Sequence, residues 1–295
     1  MYRLSFLFVL ALLVPPLART QEPKIVRPQK SDSEIACYAG QEGNTPHKKK
    51  LWDGYEISLG PVAHPEESEF QCTAAIYNKA GKVVFRTNGF NVVFDEDLTG
   101  EDFDGDGKPE VVFRTDTGGG NHCCWGYIVY SLWSRPHKLF EMPMEGKVDF
   151  EKGKDGRMVM WERVSVPGGF FTSMAGRPFA EKVFRMLEGK LTDVTADFCG
   201  TNDPRFERGD LTPEDLKKLA HAGEQGQDDL ENIISTLESR TAQHVFCGEY
   251  NEALNDLNLW PAGKREIEMK SLVNGFSQEY PEFVAKLREL LKKPE

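Results

Sequence analysis

The sequence lacks any excess of positive charge. Its 295 residues include 36 Lys and Arg against 47 Asp and Glu, which gives a formal net charge of −11. A negative surface repels the phosphates of nucleic acids and of anionic lipids, so this composition disfavours both as partners. The chain also lacks a late apolar run near the length of about 20 residues that a transmembrane helix needs. We therefore expect no nucleic-acid partner and no membrane span.

Two common catalytic signatures are also missing. The six histidines include no pair at i, i+4, which excludes the helical zinc motif of many metalloproteases. No Gly-x-Ser-x-Gly sequence provides the nucleophile elbow of an α/β-hydrolase. The sequence therefore favours a protein that is not an enzyme. The alternative is a secreted hydrolase acting on glycans, with two carboxylates among Glu151, Glu162 and Glu181 on predicted strands as acid and base.

Residues 1–20 have the features of a secretory signal peptide in the usual order. Arg3 precedes an almost wholly apolar run, which ends at a Pro-Pro pair and small residues near Ala18 and Thr20. We expect this segment to be cleaved and the chain to be secreted or periplasmic. Cleavage removes two arginines and no acid, which leaves 34 basic against 47 acidic residues and a net charge of −13.

All six cysteines lie beyond the predicted signal peptide, and an even number in an oxidising compartment predicts three disulfides. The cysteines are Cys37, Cys72, Cys123, Cys124, Cys199 and Cys247. Adjacent residues of a strand point to opposite faces, so we expect Cys123 and Cys124 to have separate partners, the nearest being Cys37 and Cys72. The last two cysteines would then bond to each other. A vicinal Cys123–Cys124 bridge is the alternative.

A nine-residue acidic segment has the ligand spacing of a calcium loop. Residues 102–110 read Asp-Phe-Asp-Gly-Asp-Gly-Lys-Pro-Glu. Ca²⁺ takes about 6–8 oxygen ligands at about 2.3–2.6 Å, and alternate residues of a tightly curled loop direct oxygens at one centre. We expect the chain to turn sharply at Gly107, since glycine takes positive φ without steric cost. The predicted metal ligands are Asp102, Asp104, Asp106, Lys108 through its backbone carbonyl, and Glu110.

The residues that follow the loop exclude an EF-hand. Its twelfth position, a bidentate glutamate in that motif, is Phe113 here, and residues 111–115 are mostly β-branched or aromatic, which predicts a strand. The pattern D-x-D-x-D-G-x-x-[DE] before a strand resembles the FG-GAP or VCBS-type repeat, whose loop connects strands of a β-propeller blade. The resemblance covers residues 98–132 and occurs once. It implies that calcium binds between two strands of a sheet.

The remaining pattern predicts an α+β protein. Residues 51–200 contain many short apolar or alternating runs separated by turn residues, which predicts a mainly antiparallel β domain, either a sandwich or a partial propeller. Residues 201–295 have apolar stripes at helical spacing, interrupted by Pro261 and Pro281, which predicts a domain of helical hairpins. Residues 21–50 are polar and rich in Pro, Lys and Ser, and we expect a linker there.

Taken together, these features predict an exported, calcium-stabilised and disulfide-linked module. Its Ca²⁺ would be structural, and its partner would be a protein or a glycan, or the module would be associated with the cell envelope. The affinity needed for such an extracellular ion is modest, with a Kd of about 10⁻⁴–10⁻³ M.

Overall fold

The structure is a computed structural model that describes residues 35–40, 46–64, 67–116, 125–133, 135–142, 147–168, 178–201, 203–206, 209, 211–220 and 228–292. The predicted signal peptide, residues 1–20, lies outside these ranges. The strands of the described residues are β1 (Ala36–Cys37), β2 (His47–Lys50), β3 (Glu56–Pro61), β4 (Cys72–Tyr77), β5 (Val83–Gly89), β6 (Asn91–Phe94), β7 (Val111–Asp116), β8 (Trp125–Ser131), β9 (His137–Met142), β10 (Val148–Lys152), β11 (Met158–Ser165), β12 (Phe179–Leu187) and β13 (Lys190–Asp193). The α-helices are α1 (Thr195–Phe198), α2 (Pro213–Ala220), α3 (Asp228–Phe246), α4 (Tyr250–Leu257), α5 (Ala262–Phe276) and α6 (Pro281–Leu290).

The strands form three antiparallel sheets in chain order. The first sheet contains β2 to β5, the second contains β6 to β9 with β1 added beside β6, and the third contains β10 to β13. Strands that follow one another in the chain are neighbours within each sheet, and each pairing is antiparallel. This confirms the predicted α+β class, a mainly antiparallel β region followed by helices. None of the three described sheets closes into a barrel.

The second sheet is buried on both faces because the other two sheets pack against it. Successive residues of a strand point to opposite faces. In β7, Val111 and Phe113 pack with Ile76 of the first sheet, whereas Val112 packs with Met160 of the third. The side chains of β8 are likewise buried on both faces, as expected for a central strand that carries bulky residues on both sides. The cores on the two sides of this sheet therefore hold the stack together.

Within the described residues, the stack of sheets ends at both sides without forming a ring. On the outer face of the third sheet, Trp161 packs against Phe198 and Phe206, which lie in the chain segment after β13. The outer face of the first sheet carries a row of paired residues that is polar except for one alanine: Lys48, Ser58, Ala75 and Arg86. Three sheets can therefore bury their apolar faces without further propeller blades.

Part of the stretch 21–50, expected to be a linker, belongs to the sheets. Strand β1 pairs with β6 and β2 pairs with β3, so described residues of this stretch form two strands. Strand β2 was not recognised from the sequence because its lysines are typical of a solvated segment, and an edge strand also exposes polar residues on much of its surface. Lysines on an edge strand also discourage pairing with another chain.

Two disulfides are present among the described residues, Cys37–Cys72 and Cys199–Cys247. The second confirms the expected bond between the last two cysteines. The expectation that Cys37 and Cys72 bond to residues 123–124 is wrong, because β1 joins the edge of β6 and brings Cys37 to the start of β4, where the Cα atoms lie 5.7 Å apart. Residues 123–124 lie outside the described residues, and a vicinal bridge there stays a prediction.

The helices pack on β12 of the third sheet through α3. The helical core includes Val166 and Ala180 of the sheet beside apolar residues of α2 to α6. The side-chain amide of Gln243 on α3 pairs with the backbone of Glu181: Gln243 Oε1 accepts from the backbone N–H at 2.9 Å, and Gln243 Nε2 donates to the carbonyl at 3.0 Å. Lys182 also forms an ion pair with Glu279. These polar contacts fix the position of the helices on the sheet.

We expect Gln243→Leu to lower the free energy of unfolding by about 1–3 kcal/mol, because it leaves a buried N–H and a buried carbonyl of Glu181 without partners. Urea unfolding with the disulfides intact measures this. Gln278→Leu is the matched control, since Gln278 is exposed, and its effect should stay within about 0.5 kcal/mol. Equal effects of the two substitutions would contradict the role assigned to Gln243.

Candidate metal centre

The acidic loop lies between β6 and β7 of the central sheet. Asp102, Asp104 and Asp106 each place a carboxylate oxygen within 4.8 Å of the others, so three of the five predicted ligands meet at one point. Strand β7 begins at Val111, directly after the loop, as the sequence predicts. The loop therefore has the predicted convergence of oxygens and the predicted connection to a strand.

The carboxylate of Asp102 holds the loop in its curled form. Its Oδ1 accepts a hydrogen bond from Gly105 N at 2.7 Å and its Oδ2 accepts one from Gly107 N at 2.9 Å. Both glycines have positive φ, +79° and +83°, which a residue with a side chain rarely adopts. A Cβ on Gly105 would also lie 2.8 Å from Arg157 Nε, so the third sheet approaches the loop closely at this point. The glycine expected at the sharp turn, Gly107, is confirmed.

The other two aspartates make similar short-range bonds. Asp104 Oδ1 accepts from Asp106 N at 3.0 Å, and Asp106 Oδ1 accepts from Lys108 N at 2.9 Å. The Lys108 ammonium lies 3.2 Å from Asp106 Oδ2, at the exposed side of the loop, and 5.8 Å from the ring centroid of Trp133. Lys108, predicted as a ligand through its carbonyl, thus also places a cation at the rim of the acidic cluster.

Glu110 is the buried member of the predicted ligand set. Its Oε2 accepts a hydrogen bond from Phe103 N at 2.8 Å, whereas its Oε1 has no donor among the described residues. The side chain is fully buried. Burial raises the pKa of the Glu110 carboxyl to about 8, with the Phe103 N–H opposing the shift and the charges of Asp104, Asp102 and Asp106 adding to it. Glu110 therefore has a buried oxygen without a donor among the described residues, although its carboxylate is not in the group of oxygens that lie within 4.8 Å of one another.

The loop concentrates more negative charge than its own hydrogen bonds compensate. Burial raises the pKa of Asp104, with the Asp106 N–H opposing the shift and the charges of Asp106 and Asp102 adding to it. Two carboxylates about 4 Å apart repel by about 1 kcal/mol in water and about 4 kcal/mol at an effective dielectric constant of 20. A divalent cation at the shared centre would cancel this repulsion, which makes the cluster chemically suited to a hard metal ion.

Phe103, between the first two aspartates, anchors the loop in the protein core. It is fully buried, and its ring contacts Phe140 and Phe150 at centroid distances of 5.9 Å, in the core between the second and third sheets. Pro109 is held as well, since its carbonyl accepts from Trp133 Nε1 at 3.0 Å. Neither contact was predicted from the sequence. The signal available was an aromatic residue inside an otherwise polar, acidic loop.

Comparisons of the chain with protein-family models, curated proteins and solved structures found no match. The resemblance of the loop to FG-GAP or VCBS-type repeats stays a prediction for that reason. Among the helices of the described ranges, none combines the length and the apolar character required to cross a bilayer.

The strand carboxylates considered for a hydrolase are engaged or separated. Glu151 accepts hydrogen bonds from Trp161 Nε1 at 2.8 Å and from Arg205 Nη2 at 3.1 Å. Glu181 faces Arg163 across the sheet, with Glu181 Oε1 and Arg163 Nε 3.3 Å apart. Glu162 precedes Arg163 on the same strand, so it points to the other face of the sheet. Glu151 lies on the same face of the sheet as Glu181, because its partner Val159 and the Glu181 partner Arg163 are four residues apart on β11.

In metal-free protein we expect the free energy of unfolding to fall as pH rises from about 5 to 8. The Glu110 carboxyl has a pKa of about 8 in the folded state and its ordinary pKa of 4.5 when unfolded, so rising pH favours the unfolded state across this window. The slope from one group is at most about 1.4 kcal/mol per pH unit. Urea unfolding in excess chelator at several pH values measures it.

Glu110→Gln removes the titrating group and should flatten this slope. The control is Glu67→Gln, at an exposed position, which should leave the slope as it is in the unaltered chain. If the slope is the same in Glu110→Gln and in the control, Glu110 does not carry the raised pKa.

Proposed function

We propose that this chain is an exported, calcium-stabilised and disulfide-linked module that binds a protein or glycan partner or is associated with the cell envelope. Its Ca²⁺ would be structural. The observation that carries the proposal is the convergence of three aspartate carboxylates beside the buried Glu110 Oε1, which no described residue bonds. An unpaired buried oxygen beside an acidic cluster is costly without a cation, and a bound cation gives it a partner.

The chemistry of the donors favours calcium over other metals. The set contains carboxylates and one carbonyl and no imidazole or thiolate, which suits a hard cation. Asp102, Asp104 and Asp106 with one oxygen each, the Lys108 carbonyl, and Glu110 with one or two oxygens would give about five or six ligands. Water would complete the about 6–8 that Ca²⁺ takes. Mg²⁺ requires a stricter octahedron and retains more water.

The position of the loop explains how an ion would stabilise the whole β region. Phe103 ties the loop to the core between the second and third sheets, and Glu101 forms an ion pair with Lys152 of the third sheet at 2.7 Å. Fixing the loop would therefore also fix the contact between two sheets. At a calcium concentration ten times the Kd, binding only to the folded state adds about 1.4 kcal/mol to the free energy of unfolding.

The two disulfides support a location outside the reducing cytosol. Cys37–Cys72 joins the first and second sheets, and Cys199–Cys247 joins the end of the β region to α3. Bonds of this kind form and persist in oxidising compartments. They agree with the predicted signal peptide and with secretion or a periplasmic location. The alternative of a glycan-acting hydrolase stays a prediction, and the arginine contacts of Glu151 and Glu181 do not favour it.

We expect millimolar Ca²⁺ to raise the melting temperature of the mature chain, and we expect the double variant Asp104→Ala and Asp106→Ala to lose this rise. The variant removes two of the carboxylates that meet at the centre. Differential scanning calorimetry with and without chelator measures the response, and isothermal titration gives the Kd. A double control of Glu67→Ala and Asp197→Ala removes two exposed acids outside the loop.

The control should keep the full calcium response, because it changes the net charge by the same amount. An undiminished response in the loop variant would rule out the site, and an equal loss in both variants would assign the response to general charge screening. Mg²⁺ at the same concentration should give a smaller rise, since its coordination demands are stricter.

A further inference from the structure

A polar cleft lies between the third sheet and α3, away from the acidic loop. Its volume is about 230 Å³, and its walls come from β11, β12, the turn Pro204–Phe206 and α3. Three arginines face the cleft, together with one carboxylate, that of Glu181. This is an unusual concentration of positive side chains in a chain with a net charge of −11. The arginines are Arg163, Arg205 and Arg240.

Two of these arginines are held in place by carboxylates. Arg205 donates from Nε and Nη2 to Asp203 at 2.9 and 2.6 Å and from Nη2 to Glu151 at 3.1 Å. Arg240 donates to Asp256 through Nε and Nη2. In both, no described residue accepts from Nη1. The guanidinium groups are therefore pre-organised and retain donors for a ligand.

Arg163 is the exposed arginine of the cleft. Its side chain is 57% exposed, its Nε lies 3.3 Å from Glu181 Oε1, and its guanidinium lies over the ring of Phe179 at 5.7 Å. Neither of its Nη atoms has an acceptor among the described residues. A fork of two N–H donors matches an oxyanion such as a carboxylate in a bidentate arrangement.

The helix side of the cleft offers hydroxyl groups. Ser235 and Ser239 are four residues apart on α3, so they lie on one face of the helix, and both line the cleft. Neither hydroxyl has a hydrogen-bond partner among the described residues. Phe179 adds a half-buried aromatic ring to the opposite wall. The cleft thus combines guanidinium donors, free hydroxyls and an aromatic face.

We propose that this cleft binds a small hydroxylated oxyanion of the uronate type, an acidic sugar. The carboxylate would bind the guanidinium groups, the sugar hydroxyls would bind Ser235 and Ser239, and one face of the ring would pack on Phe179. The volume is below the range of about 300–1,000 Å³ of sites for drug-sized ligands, so a single sugar unit fits better than a chain of them.

The charge balance sets the expected affinity. The lining has three positive groups and one negative group, and Glu151, Asp203 and Asp256 behind the arginines bring the local balance to three positive against four negative groups. Binding would therefore depend on directed hydrogen bonds more than on net attraction, with a Kd of about 1 mM. The site goes beyond the proposed function and does not include the calcium loop. Arg157 beside that loop and Arg163 in the cleft are six residues apart along the chain, about 20 Å on an extended strand.

The test is a titration of the mature, disulfide-intact chain with galacturonate in the presence of Ca²⁺ and at constant ionic strength, followed by NMR or calorimetry. Galactose, the neutral parent sugar, should bind at least tenfold more weakly, because it lacks the carboxylate. Sulfate should compete with galacturonate, because it offers oxyanion oxygens to the same guanidinium groups. Arg163→Gln should weaken galacturonate binding at least fivefold, since it removes the charged fork.

Arg185→Gln is the matched control. Arg185 lies on the same face of β12 as Glu181, pairs with Asp155 and does not line the cleft, so its loss should change the Kd by less than twofold. Ser239→Trp is a second test, because the larger side chain fills the cleft without removing a charge. This substitution should abolish galacturonate binding. The melting transition of each variant shows that the variant is folded, and its calcium-dependent rise reports on the proposed metal site separately.

The proposal is overturned if no saturable binding of galacturonate occurs up to about 50 mM, if galactose binds equally well, or if Arg163→Gln and Arg185→Gln weaken binding equally. It is also overturned if sulfate fails to compete or if Ser239→Trp binds normally. Any of these results with the calcium response intact would leave the structural role of the ion untouched.

Discussion

The structure depends on a local excess of negative charge at the junction of its sheets. Asp102, Asp104 and Asp106 converge within 4.8 Å beside Glu110, whose Oε1 has no donor among the described residues. The backbone bonds of the loop set its shape but do not neutralise its charge. Hydrogen bonds to carboxylates from N–H groups stabilise single charges, whereas mutual repulsion among several requires a counter-ion. A divalent cation would relieve this repulsion at the point where the chain returns to the central sheet.

The acidic loop also affects the packing of the sheets, because Phe103 of the loop lies in the core between the second and third sheets. A loop on the surface of a sheet normally adds little to the core, since its residues are solvated. Here the loop inserts an aromatic ring between the second and third sheets, in contact with Phe140 and Phe150. A change in the loop is thus transmitted to inter-sheet packing. In a closed propeller every sheet has a neighbour on both sides, whereas the outer sheets of this described stack have one neighbour each. The loop held by Phe103 and the two disulfides add further links between the parts of the structure.

Much of this fold follows from periodicity, and the exceptions have physical causes. Alternation located most strands from β3 to β13, and Pro261 and Pro281 marked the starts of α5 and α6. Strands β1 and β2 lie in residues 21–50, where a linker was expected, since they are short or rich in charge and tertiary pairing decides their conformation. The Cys37–Cys72 bond escaped prediction because strand order, which sequence spacing does not encode, determines which cysteines meet. The candidate metal ligands could be proposed from the sequence because their spacing is local, whereas the arginine cleft joins residues from four distant segments.

Strand β11 connects the two polar sites and explains how they remain separate. The residue before the strand, Arg157, lies beside Gly105 of the acidic loop. Near the other end of the strand, Arg163 lines the cleft. The aspartates at one end of the strand and the arginines at the other do not interact strongly, because about 20 Å exceeds the Debye length of about 8 Å at physiological ionic strength. The strand is nonetheless rigid and paired on both sides, with β10 and β12. An ion at one end would therefore act on the other through the order of the sheet and not through its field.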